Sequence, residues 1–317
     1  MADLTLAKHS HRKQVKNRSK QVFWNQRYLQ AMVIPGIIWM FVFNYLPMGG
    51  IVIAFKKYKI TKTIFSAPWV GFEYFKEFFT DSNFQDILTN TIGISLLKLM
   101  IGFPLPIIFA LLLNEIKGNR FKKISQTISY LPHFLSWVVL GGILVTWLSK
   151  TGIINDLLVG LHITKERISY MGEPKYFWGL SVLTDTWKEM GWSAIIYLAA
   201  IAGVDQQMYE AATVDGASKL QKILKITLPS ITGTISIMLI MQIAGLLNSN
   251  FDQILILKNQ INISRSQVID TYVYQVGMNL GKYSYATAVG LFKSIVALIL
   301  LLIANTSSKK MLGRSLY

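Results

Sequence analysis

Apolar residues in this chain come in blocks rather than alternating with polar ones. A hydrocarbon core of about 30 Å takes roughly 20 helical residues to cross. Six blocks approach or exceed that length: residues 28–55, 88–113, 127–147, 178–204, 231–247 and 285–304. The fifth is short, and its apolar character runs on toward Leu257. The first holds Pro35, Asn44, Pro47 and the pair Gly49-Gly50. It is predicted to kink or break near its outer end, which is tolerated where neighbours or water satisfy the freed backbone groups. The pattern predicts an all-α polytopic membrane protein with six transmembrane helices over 28–304, a basic tail over 1–27 and a second tail over 305–317.

Composition agrees. The 317 residues are 52% hydrophobic and 15% charged, against about 25% charged in a soluble domain. There is no cysteine, which excludes a disulfide scaffold and a thiolate metal site. The first 27 residues are polar and basic, with no short apolar core before a cleavage site. They read as a cytoplasmic tail, with Phe23, Trp24 and Tyr28 as an aromatic anchor at the interface.

The net charge of +16 is explained by orientation. With the N-terminus inside, 17 Lys and Arg fall in inside segments and 12 in the longer outside loops, while inside acids number five and outside acids nine. The bias puts both termini in the cytoplasm of a cell (inner or plasma) membrane. A nucleic-acid partner would need a basic stripe on a soluble face, and the pattern offers none.

The fourth–fifth loop, residues 205–229, carries the motif EAATVDGASKLQKILKITLP from Glu210 to Pro229. Asp205 can cap a short helix, Asp215-Gly216 is a turn signal, and Ser218 with Gln221 is a capping-box pattern. Leu220, Ile223 and Leu224 then form one apolar face, with Lys219, Lys222 and Lys225 turned away. This predicts a helix–turn–helix beneath the membrane. By itself it could equally be an amphipathic loop packed on its own bundle.

The spacing resembles the EAA loop of the permease subunits of type I ATP-binding-cassette importers, which are binding-protein-dependent. Nine of its ten defined positions match, and Ile223 stands where the family has an aromatic residue. The segments NYLPMGGIVIAFKKY (44–58), WVGFEYFKEFF (69–79), ALLLNEI (110–116) and QTISYLPHFLSWVV (126–139) are similar to the subgroup that handles oligosaccharides and polysaccharide fragments, including aldouronates, pectin-derived chains and alginate. The resemblance implies a second, related permease, two cytoplasmic ATPase subunits that hold ATP and Mg, an external binding protein, and an oligosaccharide, with membrane lipid around the bundle. Carried over by position, Glu210 would meet a basic residue on the ATPase. Ala211, Ala212 and Ala217 would permit close docking, Asp215 and Gly216 would shape the turn, and Leu228-Pro229 would close the motif.

This chain has no Gly-rich loop ending in Gly-Lys-Ser/Thr, so ATP hydrolysis is expected in a partner. The competing class is a membrane-embedded transferase acting on lipid or glycan, which needs a convergent acid–base or metal constellation. His9 and His11 lie in the tail, His162 in an outer loop and His133 in the third block. The last reads more readily as a polar bundle contact. No metal, cofactor or catalytic residue is expected in the chain.

Candidates for a substrate path come from charge within apolar blocks. Lys98, Asp185, Lys188, Glu189 and Lys293 all lie roughly 10–17 Å below the outer surface by helical rise. Isolated, each would cost about 2.5–3.5 kcal/mol, so they should face one another or water. Asp185 and Lys188 have the spacing of an i,i+3 pair, and Lys188 that of an i,i+4 contact with Trp192. Three lysines against two acids leave one positive charge unmatched, which predicts a basic vestibule for an acidic sugar. Structural ion pairs between helices are the plainer alternative. His133, Trp137, Trp192, Asn248 and Asn250 complete the candidates, with Trp137 either on the path or facing lipid.

Overall fold

A computed structural model describes residues 26–61 and 63–312, and it is helical apart from loops and one isolated bridge between Lys56 and Trp69. His9, His11, Phe23 and Trp24 of the N-terminal tail, and Arg314 of the C-terminal one, lie outside the described residues. In chain order the main helices are α1 (Arg27–Phe55), α2 (Glu73–Thr80), α3 (Phe84–Asn114), α4 (Asn119–Tyr130), α5 (Trp137–Trp147), α6 (Ile153–Gly160) and α7 (Phe177–Ala202). There follow α8 (Gln206–Val214), α9 (Lys219–Ser230), α10 (Thr232–Ala244), α11 (Phe251–Leu257), α12 (Ile269–Tyr274) and α13 (Tyr283–Leu312).

Among the described residues, α1, α3 and α13 are each long and apolar enough to cross a membrane. Two bent pairs raise the number to five if each counts as one span. The third apolar block is therefore not a single helix: Asn119–Phe134 and Trp137–Trp147 meet at 98°. The cause is local. Leu131 before Pro132 stays helical, the chain tightens to a 3-10 turn over Leu131–Phe134, and Leu135 then turns extended. Ser136 is extended, and its side chain accepts from the Val139 N–H, which starts a new helix on a new axis. The fifth block is likewise continuous with the loop before it, across a 62° bend between Lys219–Ser230 and Thr232–Ala244.

The kink expected in the first block takes a milder form. The helix widens to a π-type turn over Phe41–Tyr45 and tightens to a 3-10 turn over Gly49–Phe55 without breaking. Wide turns recur over Lys98–Gly102, Ile223–Thr227 and Gln275–Asn279. In the first three a proline stands two residues beyond, Pro47, Pro104 and Pro229, and the fourth has none. Proline lacks the N–H that would bond the carbonyl four residues back, and its ring crowds that carbonyl, so the turn widens to relieve both.

Three apolar clusters hold the bundle. Ile94, Trp137, Leu140, Phe177, Ile254 and Val268 knit α3, α5, α7 and α11 together. Phe78, Ile87, Ile269, Tyr285 and Val289 join α2, α3, α12 and α13. Ile107, Ala110, Ala194, Tyr197 and Ile231 pack the end of the bundle nearest the 205–229 loop. Helix α1 stands apart: residues 31–49 are exposed throughout, and Ala54 is its buried residue.

At the end of the bundle far from that loop, Asp81 accepts hydrogen bonds from the Tyr272 and Tyr285 hydroxyls and from the Asn83 backbone N–H. Its Oδ1 also accepts from the Asn83 side-chain amide; burial pushes the carboxyl up, but the four bonds outweigh it and hold the group below the ordinary carboxylate range. A depressed folded-state value stabilises the fold above the unfolded value and loses that contribution as pH falls through the folded one. Thermal unfolding of the purified protein between about pH 6 and about pH 3 should therefore show an acid-labile component below the ordinary value near 3.9, and Asp81→Asn should remove it.

Candidate functional site

Helix α7 carries Asp185, Lys188 and Glu189 halfway along its 26 residues. Asp185 and Glu189 are four apart and share a face, which lines a cavity of about 220 Å³ together with Lys98, Ser193 and Gln242. A second cavity of about 310 Å³ shares Gly102, Pro106, Ser193 and Gln242 with the first, and runs on over Trp192, Tyr197 and Met238. Together they form one cleft between α3, α7 and α10, charged at one end and apolar at the other.

Two polar clusters flank the charged end. In the first, Lys98 at the start of the wide turn in α3 lies 3.1 Å from Asp185 and donates to Gln253 Oε1 at 3.1 Å. Asn250, the N-cap of α11, donates to the other Asp185 oxygen at 2.9 Å. Gln253 is fully buried, and its amide donates to the Ser181 carbonyl and the Thr184 hydroxyl at 2.7 and 2.8 Å. Every lone pair that burial strips of water is thus answered by a neighbour.

In the second cluster, Lys188 donates to Glu189 at 3.0 Å and to the His133 carbonyl at 2.7 Å, with its ammonium 5.7 Å from the Trp137 ring centroid. His133 Nδ1 lies 2.7 Å from Glu189 Oε2. The imidazole stacks flat on Trp192, with centroids 4.4 Å apart and planes 2° from parallel. Trp192 is half-exposed beside the cleft, as a stacking surface must be. The close approach of α4 that delivers His133 needs Gly191: a Cβ there would sit 2.1 Å from the Ser129 carbonyl.

Several expected pairings are revised. Asp185 meets Lys98 of another helix rather than Lys188, its neighbour on α7, and Lys188 turns toward Trp137 rather than Trp192. Trp137 is buried in the first apolar cluster and faces neither lipid nor the cleft. Lys293 stands apart from both clusters and pairs with Asp270, which counted as a loop acid in the sequence. The three lysines therefore each reach a carboxylate, and the unmatched positive charge is absent from mid-bundle. Asn248 is exposed and makes no side-chain bond to either cluster. Gln253, Ser193 and Gln242 belong to the site without a charge or apolar-block signal to mark them in the sequence. Gln253 had one legible signal, its position three residues after the capping Asn250.

The 205–229 loop forms as its motifs predict. Asp205 accepts from the Gln207 N–H, and Ser218 and Gln221 make a full capping box. Gly216 has φ +73°, a left-handed conformation that L side chains rarely adopt, with open space where a Cβ would go. Lys222 bonds Thr213 across the turn at 2.7 Å, and the Tyr209 and Thr227 hydroxyls meet at 2.9 Å. Lys219 reaches Glu115 of the neighbouring loop at 3.8 Å. Glu210, Ala211, Asp215, Gly216 and Pro229 are exposed, and Ala212, Ala217, Ile223 and Leu228 half-buried. Leu220 and Leu224 of the apolar face are 65% and 54% exposed, as is Val214 before the turn at 88%, while Ile223 is half-buried.

The chain belongs to the family described as binding-protein-dependent transport system inner membrane components, whose pattern matches residues 102–313. It is 44% identical over 285 residues to Protein LplB of Bacillus subtilis (strain 168), covering 90% of this chain and 89% of the relative. It is 43% identical over 293 residues to the polygalacturonan/rhamnogalacturonan transport system permease protein YteP of the same strain, covering 92% and 91%. Among solved structures it superposes with TM-score 0.85 and 38% identity on a chain of a bacterial ABC transporter involved in the import of the acidic polysaccharide alginate, covering 93% of this chain and 99% of that one.

Breaking a buried pair strands its partner, which costs about 3–5 kcal/mol where the remaining charge stays buried. Lys98→Met or Asp185→Asn alone should lower the thermal unfolding temperature of the purified protein. The double substitution should recover most of that loss, since it removes both charges together. Additive losses would mean that the two side chains do not act as a pair.

Proposed function

We propose that this chain forms one half of the translocation pathway of an oligosaccharide importer and receives the work of ATP hydrolysis through residues 205–229. The observation that carries this reading is the outward-turned apolar face on that loop, held rigid by its own bonds but left uncovered by its own bundle. Such a face wants a partner with a matching groove. The EAA spacing places Glu210 and the small residues Ala211, Ala212 and Ala217 around it, which suits docking onto a cytoplasmic ATPase subunit. A second homologous permease and two ATPase subunits, which the EAA resemblance implies, would complete the assembly with the external binding protein that the family's description names. The relatives named for polygalacturonan and alginate support an oligosaccharide cargo, and an acidic one in particular.

The same reading gives six crossings. Helix α7 is long enough to span at about 39 Å, but its three central charges set it apart from purely apolar helices. Added to the three long helices and the two bent pairs, it makes six, which places both ends of the chain in the cytoplasm with the coupling loop. Residues 28–304 are then the permease domain, and 1–27 and 305–317 its tails. In this arrangement Lys98, Asp185, Glu189 and Trp192 line the path, and His133, Lys188 and Asn250 hold them in place. Trp137, Asn248 and Lys293 fall outside the path's lining.

The test is coupling in the reconstituted complex. Gly216→Val imposes a left-handed backbone on a β-branched residue and adds bulk at the dock. It should depress sugar-stimulated ATP hydrolysis by about tenfold or more while membrane insertion stays normal. Glu210→Ala should act in the same direction. Intact coupling in both variants would overturn the assignment.

A further inference from the structure

The cleft in mid-bundle is charge-balanced, so it offers an acidic sugar no net attraction. A different place does. Between α11 and α12, a cavity of about 240 Å³ is lined by Lys258, Asn259, Gln260, Tyr274, Gln275 and Asn279, among others. It lies at the end of the bundle opposite the 205–229 loop: Asn259 donates to the Met171 carbonyl, and Arg265 stacks over Trp178 at the start of α7.

Lys258 is half-buried here, and burial lowers its pKa. Lys98, Lys188 and Lys293 each reach a carboxylate, but Lys258 reaches an amide. Its Nζ donates to Gln267 Oε1 at 2.9 Å, and no carboxylate lies within ion-pair distance of it among the described residues. Gln267 is buried, and its own amide donates to Gln275 Oε1 at 3.2 Å. The relay orients both cavity groups. With Gln267 holding one ammonium hydrogen and the Gln275 oxygen, the remaining Lys258 hydrogens and the Gln275 NH2 are left as donors. Gln260 and Asn279 add amides. Tyr274 is about 40% exposed, with Phe251 packed against it at 5.3 Å, and supplies an apolar ring.

We propose that this cavity is an outer binding site for a carboxylate-bearing sugar residue, with Lys258 and Gln275 binding the carboxylate and Tyr274 the ring face. The ligand class follows from the chemistry. An uncompensated ammonium and a fixed amide donor select an anion with two acceptor oxygens. Flanking amides and one aromatic surface suit hydroxyls and C–H groups. Helix α11 joins this site to the central cleft, since Asn250 at its start bonds Asp185 and Lys258 follows its end. The two lie about 12 Å apart along the helix, a span that an oligosaccharide can bridge. The site would hold the leading acidic residue before the chain enters the cleft. This inference rests on the reading of the protein as an oligosaccharide permease.

The experiment uses the assembled complex and the absence of native cysteine in this chain. Asn279→Cys places a thiol at the cavity rim, and its modification by a thiol reagent is followed by mass on this subunit. The probes are trigalacturonate and its fully methyl-esterified, uncharged counterpart at millimolar concentration. Trigalacturonate should slow modification about tenfold and the ester should not, as expected for one charge-assisted contact. Lys258→Met and Gln275→Leu, at normal complex yield, should each abolish the difference. Equal protection by both sugars, protection by neither, or protection that survives Lys258→Met would overturn the proposal. Protection without sugar-stimulated ATP hydrolysis would keep this site and sink the importer reading; intact coupling without protection would do the reverse.

Discussion

A charge placed halfway along a membrane helix must be answered by another charge or by water, and that requirement organises this bundle. Helix α7 carries three such charges within five residues, and they point in different directions because successive helical positions turn by about 100°. Asp185 and Glu189 share the face on the cleft, while Lys188 turns into the protein. Lys188 and Glu189 pair with each other, and other elements supply the rest: α3 brings Lys98 and α11 Asn250 to Asp185, and the turn before α5 brings His133 to both Lys188 and Glu189. The helices that supply these partners are the ones whose apolar residues fill the first core cluster. Charge compensation and apolar packing therefore specify one arrangement rather than competing.

The backbone irregularities serve the same end. A regular α3 would carry Lys98 and the prolines after it in one uninterrupted ladder. Pro104 removes a donor, the turn at Lys98–Gly102 widens, and the ammonium sits at the rim of the cavity, lined also by Gly102 and Pro106. At Leu135–Ser136, just after His133, the chain turns by 98°; His133 stacks on Trp192, and its carbonyl, at the end of the helical run, accepts from Lys188. A carbonyl inside a continuous helix would be committed to its own ladder. The bend supplies the acceptor that lets a lysine be buried.

The coupling loop obeys a different logic. Its polar groups are spent on internal bonds, namely the capping box, the Lys222–Thr213 bridge and the Tyr209–Thr227 contact, which fix its shape. Val214, Leu220 and Leu224 are left outside, while Tyr209, Ile226 and Leu228 pack on the bundle. A loop that is rigid, apolar on its free face and tied to its neighbour by Lys219 and Glu115 can pass a displacement to the spans. A floppy loop would absorb it.

Much of this was legible in the residues. The apolar blocks gave the class, because few other arrangements bury so many consecutive apolar residues. The 205–229 loop was readable nearly residue by residue, because capping boxes, Asp-Gly turns and short amphipathic helices are local: their partners lie within four positions along the chain. The charged clusters were not readable in the same way. The sequence determined that Lys98, Lys188 and Lys293 needed partners, since the cost of an isolated charge depends only on where it sits in an apolar run. It could not choose the partners. Spacing along α7 suggested Asp185 with Lys188, but Asp185 lies nearer to Lys98, 87 positions away in the chain. Asp270 looked like a loop residue until α12 brought it beside Lys293. Those choices belong to helix packing, in which side chains far apart in sequence compete for one site and the wide turn before Pro104 and the bend at Leu135–Ser136 decide which of them arrive.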